Sequence, residues 1–171
     1  MSFGETLRSR RGEQSTDREA RRFGEAKAGE LRTAHGTDNV WELAANEGVT
    51  IRRSEWSGVD RLRLFGTYAD GVITLYDAQI PVLAERLGVS ESLATELVLA
   101  HELGHHVLDV SAVERTPRSP LREALSSWFG GSADERELEE RAAQWFAVEL
   151  LGDRLPDTAR RKLRRGVGDI E

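Results

Sequence analysis

The sequence of 171 residues has no cysteine, only 6% aromatic residues and no long apolar run. Without cysteine the chain has no disulfide, no thiol nucleophile and no thiolate ligand, so any metal site must use His, Asp and Glu. No apolar stretch approaches the roughly 18–20 residues that a membrane span needs. The N-terminal segment also lacks the apolar core of a signal peptide. We therefore expect a cytoplasmic protein with no membrane partner.

Basic residues are outnumbered as well, with 24 Lys and Arg against 30 Asp and Glu and a net charge of −6. Nucleic-acid-binding proteins normally carry a strongly basic surface, so we expect no direct contact with nucleic acid. The acidic excess lies in the middle of the chain, where residues 36–153 carry ten basic and 21 acidic side chains. The two ends are mildly basic.

Composition divides the chain into three parts. Residues 1–37 contain few large apolar side chains and predict a basic, loosely ordered helical arm. Residues 38–152 are the predicted domain, and residues 153–171 form a predicted basic tail. The run Arg160–Arg165 in that tail could contact nucleic acid, but such a run is more often a solvated helix face.

Turn and cap signals predict an α+β fold in which a small antiparallel sheet packs against helices. The first predicted elements are a helix capped by Asp38 and ended by Gly48, and a strand at Val49–Ile51. A hairpin of Leu62–Tyr68 and Val72–Tyr76 follows, with Asp70-Gly71 in its turn. Three further helices are predicted at Asp77–Leu87, at Glu91–Leu108 and from a capping box at Ser132 to Leu151.

Three of the four histidines follow closely on one another, and residues 101–105 read HELGH. On a helix, His101 and His105 lie about 40° apart and roughly 6 Å along the axis, so their imidazoles can converge on one ion. Glu102 lies beside that face, where it can orient a metal-bound water and accept its proton. The alternative is an amphipathic helix with histidines in its core. His106 points about 140° from His101 and is interpreted as a surface or packing residue.

A catalytic zinc site needs a third protein ligand and keeps one position open for water. Leu108 and Ser111 stand where a G-x-x-H continuation would place its Gly and His, which excludes that arrangement. The third ligand is therefore expected to be a carboxylate of the last long helix, which offers Glu137, Glu139, Glu140 and Glu149.

Helical angles favour Glu140 among these four. It shares its face with Ala143 and Ala147, whose small side chains would let the two helices approach closely. Glu139 lies about 100° from that face. Gln144, one turn beyond Glu140, and Asp109, one turn beyond His105, are candidates for hydrogen bonds to the ligands.

The two segments 101–105 (HELGH) and 140–151 (ERAAQWFAVELL) together resemble the ImmA/IrrE family of zinc metallopeptidases, and the likeness covers roughly residues 38–152. The resemblance implies a zincin-like fold with this HExxH motif on a central helix, with His101, His105 and Glu140 as metal ligands and Glu102 as general base. It also implies cleavage of a specific protein, typically a helix-turn-helix transcriptional repressor. The chain departs from the family in Gln144, where Asn is commoner, in lacking Pro directly after residue 151, and in a long insertion at 115–131.

The leading hypothesis is therefore a metal-dependent endopeptidase. Zn²⁺ is the expected ion for a set of two His and one Glu, with Mn²⁺ or Fe²⁺ as alternatives. Tyr68 and Tyr76 are candidates for stabilising the oxyanion. The alternative function is a non-catalytic, metal-containing interaction module that acts as a regulator in a toxin–antitoxin or phage context.

Overall fold

The computed structural model describes residues 3–56, 65–108 and 133–165, with side chains for 17–56, 65–108 and 138–165. The described elements are α1 (Phe3–His35), α2 (Val40–Asn46), β1 (Thr50–Ser54), β2 (Gly66–Ala69), β3 (Val72–Tyr76), α3 (Ile80–Leu87), α4 (Glu91–Leu108), α5 (Ala133–Leu151) and α6 (Asp157–Arg164), with a 3₁₀ turn at Gly152–Arg154 between the last two. These elements confirm the α+β class. Among the described helices, none combines the length and apolar character needed to cross a membrane.

The three strands form a mixed sheet in the order β1-β3-β2. Strands β2 and β3 are antiparallel, and Asp70 and Gly71 between them both have positive φ, of 48° and 76°, as the predicted hairpin turn requires. Strand β1 pairs with the other edge of β3 in the parallel direction. The prediction of a wholly antiparallel sheet is therefore wrong for β1, because alternation along a strand indicates its faces and carries no information about the direction of its partner.

One face of this sheet packs on the helices. Ile73 and Leu75 of β3 are fully buried in the main core. The register pairs Gly66 with Leu75 and Tyr68 with Ile73, so these two residues of β2 lie on the same, helix-facing side. Thr67 alternates to the opposite face. The core beneath the sheet includes Leu97, Val98, Leu99, Leu103, Phe146 and Ala147.

Helices α4 and α5 make close contact through small residues. A β-carbon placed on Gly104 would lie 3.0 Å from Ala143 Cα and 3.2 Å from Ala143 Cβ. Ala143 and Ala147 are both completely buried. The predicted small-residue face of α5 is therefore confirmed, and Gly104 is its counterpart on α4. The bounds predicted for α4 are also correct, with Leu93 N donating to Ser90 Oγ at 3.2 Å.

Helix α1 packs along α5. The prediction of a loosely ordered arm is therefore wrong for the part of α1 whose side chains are described, from residue 17 onward. Ala20 and Ala28 are completely buried, and Leu31 is 6% exposed. A β-carbon on Gly24 would lie 2.5 Å from the carbonyl oxygen of Ala142, so the two backbones nearly touch. The hydrophobic pattern missed this contact because it is made by small residues, which bury little apolar area each.

The segment after α5 is likewise part of the packed structure. Leu155, Ala159 and Leu163 are buried in the main core, so the prediction of a tail from residue 153 is wrong as far as residue 165. The basic side chains of α6 nevertheless face solvent in the main, as expected for a solvated helix face. At the other end, Asn39 caps α2 by accepting from Trp41 N at 3.0 Å, where Asp38 had been the predicted cap.

Candidate metal centre

Three predicted ligands meet between α4 and α5. Glu140 Oε2 lies 3.3 Å from His101 Nε2, and Glu140 Oε1 lies 3.2 Å from His105 Nε2. The two Nε2 atoms are 3.2 Å from each other. The ligand atoms of the three residues all lie within 4.8 Å of one another, so the structure contains a possible metal-binding triad.

The donor set fits a divalent cation. Two imidazole nitrogens and a carboxylate all direct electron pairs at one point, which is unfavourable unless a proton or a metal ion is shared among them. The histidine side chains are 18% and 14% exposed, whereas Glu140 is 52% exposed. The two histidines are therefore largely buried on α4, whereas the carboxylate of Glu140 on α5 is exposed to solvent.

The titration of the triad reflects the same crowding. Burial lowers the pKa of His105, but hydrogen bonds to Glu139 and Glu140 outweigh it and raise the pKa to about 10. Hydrogen bonds from His101 and His105 hold the pKa of Glu140 well below its usual range. A proton on the histidine pair thus occupies the place of a cation, and binding a metal must displace it.

Glu139 is a site residue that the angular reasoning missed. Its Oε1 lies 3.2 Å from His105 Nδ1, the ring nitrogen that faces away from the triad. Metal-binding histidines usually donate a hydrogen bond from their second ring N–H to a carboxylate, and that rule was the available signal for an acid next to Glu140. Because Glu139 is 100° from Glu140 around α5, its carboxylate lies beside the outer nitrogen of the His105 ring and does not join the three ligand atoms.

Glu102 lies under strand β2. It is 7% exposed, and burial raises the pKa of its carboxyl group. A β-carbon on Gly66 would lie 3.1 Å from Glu102 Cγ and 3.3 Å from its Oε1, and only 2.6 Å from Val98 Cγ1. Gly66 therefore lets β2 cross directly above the carboxylate. Sequence reasoning assigned Gly66 to the hairpin without recognising this contact.

The predicted outer contacts of the triad are not all formed. Gln144 Nε2 and His101 Nδ1 are both buried and have no hydrogen-bond partner among the described residues. Gln144 Nε2 therefore forms no hydrogen bond to a ligand among the described residues, and the prediction that Gln144 contacts a ligand is not borne out through this atom. Asp109 lies outside the described residues, as does the side chain of Glu137.

The sheet register separates the two tyrosine candidates. Tyr68 faces α4, and its hydroxyl lies 2.9 Å from His106 Nδ1. Tyr76 is on the opposite face, where its hydroxyl lies 3.2 Å from Thr67 Oγ1 and its ring packs 5.2 Å from that of Trp56. Tyr68 alone shares the side of the sheet that carries the triad. His106 is half-buried. Of the two predicted roles, a surface residue or a packing residue, the second is therefore correct.

Comparison of the chain with protein-family models, with curated proteins and with solved structures gives no match. The chemistry that the site could perform is therefore inferred from its own geometry. It combines three convergent ligand atoms, a solvent-facing side and a buried carboxylate on the helix that carries two of the ligands.

Proposed function

We propose that the protein is a metal-dependent endopeptidase with a zincin-like arrangement of its site. The observation that carries the proposal is the convergence of His101, His105 and Glu140, from two helices, with Glu102 buried beside them. The resemblance of segments 101–105 and 140–151 to the ImmA/IrrE family supports the same reading. Zn²⁺ is the ion that two imidazoles and one carboxylate favour, and Mn²⁺ or Fe²⁺ are alternatives.

The residues divide the chemistry between them. A divalent ion held by the triad would polarise a peptide carbonyl and lower the pKa of a water toward about 7. Glu102 accepts a proton from the attacking water and delivers it to the nitrogen of the leaving amine. Its raised pKa suits that double role, because burial weakens the preference of the carboxyl group for its charged form.

The substrate is expected to be an extended segment of another protein. Strand β2 is hydrogen-bonded to β3 alone among the described strands, so its second edge can pair with a peptide backbone. Because Gly66 of β2 crosses above Glu102, a peptide added to that edge would pass the buried carboxylate. The family resemblance suggests that the cleaved protein is a helix-turn-helix transcriptional repressor.

The proposal is tested with protein that is stripped of metal and reloaded with Zn²⁺. The assay is cleavage of a proteome-derived peptide library and of repressors encoded beside this gene, read by mass spectrometry. Glu102→Gln should keep the metal and lose cleavage, because an amide cannot accept the proton of water. Glu91→Gln, an exposed position on the same helix, is the matched control and should cleave like the wild type.

The same variants decide between the enzyme and a non-catalytic module. If Glu102→Gln retains the biological output of the wild type and no peptide is cut by either protein, the interaction-module hypothesis is correct. A wild type that binds no divalent ion contradicts both.

A further inference from the structure

Helix α6 carries a group of positive charges that the metal centre does not use. The helix is anchored by Ala159 and Leu163, which are 0% and 3% exposed in the main core. The residues on its other side, which we call the basic face, are all exposed and are Arg161, Lys162, Arg164 and, directly after the helix, Arg165. Because the buried side fixes the helix, the backbone positions of these four charges are fixed as well.

The basic face has no acidic partner in the described part of the chain. None of its four charges forms an ion pair with a described residue. Arg161 Nε donates to a backbone carbonyl one turn earlier, and Lys162 Nζ donates to a carbonyl at the end of α3. Neither contact neutralises a charge. Elsewhere an arginine is paired, as Arg154 is with Glu96 at 2.6 Å. Helix α6 is therefore a local excess of positive charge in a protein whose net charge is −6.

The positive surface continues onto α1 through an aromatic ring. The Arg164 Cζ atom lies 5.8 Å from the centre of the Trp145 ring, and the Arg21 Cζ atom lies 4.9 Å from the same centre. The face of one indole thus attracts two guanidinium groups. Glu25 neutralises Arg21 at 2.6 Å, whereas Arg164 has no such partner among the described residues. The two basic ends of the chain therefore meet at Trp145.

Such a face is complementary to a dense row of anions. Helix α6 is about 12 Å long, and duplex DNA carries one negative charge per about 1.7 Å of its axis, so about seven phosphates lie within that length. Arginine supplies three of the four charges, and its guanidinium group binds a phosphate through two parallel N–H···O bonds. Carboxylates on a protein surface are interspersed with cations and do not reach this density.

The aromatic residues favour a duplex over a single strand. Proteins that bind single strands stack the bases on exposed aromatic rings. Trp145 is only 7% exposed, and its ring already meets two arginines. Among the described residues, Trp41 of α2 is the one large hydrophobic side chain that is exposed. Contacts with the phosphates of a duplex need no such ring.

We propose that the basic face of α6 binds the phosphate backbone of double-stranded DNA without reading the bases. This binding uses none of the triad residues and goes beyond the proposed endopeptidase function. The net charge of the chain predicted no contact with nucleic acid. At about 0.1 M salt, however, charges more than about 10 Å apart are largely screened, so the local excess on α6 decides whether DNA binds.

The test is binding of a short fluorescein-labelled DNA duplex to the full chain, measured by fluorescence polarisation in KCl. If all four cations contact phosphates, the logarithm of the association constant should fall against the logarithm of salt with a slope of about −3.6, which is about 10²-fold between about 50 and 200 mM KCl. Arg161→Gln combined with Arg165→Gln should reduce the slope to about −1.8. The matched control is Arg52→Gln combined with Arg53→Gln, which removes the same charge from exposed positions on β1 and should bind like the wild type.

A third variant should act in the opposite direction. Asp157 is exposed in the first turn of α6 and is the carboxylate of that helix. Removing one negative charge at roughly 7 Å from a phosphate in water corresponds to about a 3-fold gain, so Asp157→Asn should bind the duplex about 3-fold more tightly. The Tm of all these variants should stay near the wild-type value. Binding should be equal in the metal-free and the Zn²⁺-loaded protein, so the result does not depend on the proposed function.

Four results would overturn the proposal. The first is a wild type that does not bind the duplex at about 50 mM KCl. In that case a lower Tm in the Arg161→Gln, Arg165→Gln protein would show that the cations only stabilise the C-terminal end of α6 through its dipole. The second is equal affinity of that protein and the β1 control. The third is displacement of the duplex by a polyglutamate peptide at equal negative charge, which would indicate an acidic protein partner. The fourth is equal or tighter binding of the single strand.

Discussion

Gly24→Ala tests most directly how α1 is packed, and through it the position of Glu140. A β-carbon at residue 24 would lie 2.5 Å from Ala142 O, 2.7 Å from Phe146 N and 2.8 Å from Trp145 Cβ. The first two are backbone atoms of α5, so they cannot move aside unless the whole helix shifts. We therefore expect the added methyl group to push α1 away from α5.

The expected size follows from two opposing effects. Overpacking of a core costs about 1–3 kcal/mol, and contacts this short with backbone atoms belong at the upper end. Replacing Gly by Ala inside a helix returns about 1 kcal/mol through helix propensity. The net loss for Gly24→Ala is thus about 2 kcal/mol. Gly29→Ala is the matched control, because a β-carbon there meets no atom within 4 Å and only the gain of about 1 kcal/mol remains.

The two alanine variants should therefore differ by about 3 kcal/mol, or roughly 6–12 °C in Tm for a domain of this size. Urea and thermal unfolding followed by circular dichroism measure that difference. Because α5 carries Glu140, Gly24→Ala should also bind Zn²⁺ more weakly than Gly29→Ala. Equal stability of the two variants would refute the close packing of α1 on α5.

Three further predictions concern the triad. Glu139→Ala should weaken Zn²⁺ binding by about 10–100-fold, as loss of a carboxylate behind a ligating histidine does, and Glu140→Ala should weaken it further, which competition with a chelating dye would measure. Chelator should lower the Tm of the Zn²⁺-loaded wild type and scarcely change that of Glu140→Ala, because only the intact triad couples metal binding to folding; equal shifts in both proteins would contradict the assignment of this ligand. In the metal-free protein, the raised pKa of His105 stabilises the folded state fully below pH 6.5, the ordinary pKa of histidine, and this contribution is lost as the pH rises toward 10. Urea midpoints should therefore fall between pH 6.5 and 10 in the wild type, and an equal fall in His105→Ala would contradict this prediction.

The central part of the fold was predictable because its signals are local. The bounds of α4 follow from the Ser90 cap and its apolar periodicity, and the hairpin follows from Asp70-Gly71. The parallel pairing of β1 was not predictable, because the alternation of residues along a strand carries no information about the direction of its partner. The docking of α1 was hidden for another reason. Contacts made by alanine and glycine at a distance of more than 100 residues leave no hydrophobic periodicity to detect.

The inner ligands of the candidate site were also predictable, since helical spacing alone determines that His101 and His105 share a face. Glu140 was distinguished from its neighbours by the alanines that follow it on α5, and the structure brings it to both histidines. Glu139 and Gly66 were missed because their roles depend on how α5 and β2 approach α4. That approach is a property of tertiary packing, which angles measured on a single helix do not contain.

The contact between α1 and α5 has a consequence for how the protein is made. Arg32 pairs with Glu149 and Asp17 with Trp145 at separations of 117 and 128 residues, so the ribosome completes α1 long before its partner helix is synthesised. During that interval the buried face of α1 has to remain in water. A face built largely from Ala20, Gly24 and Ala28 exposes little apolar surface while it waits, which limits aggregation of the nascent chain. The small side chains that make α1 resemble a loosely ordered arm thus suit it to be synthesised long before the helix on which it docks.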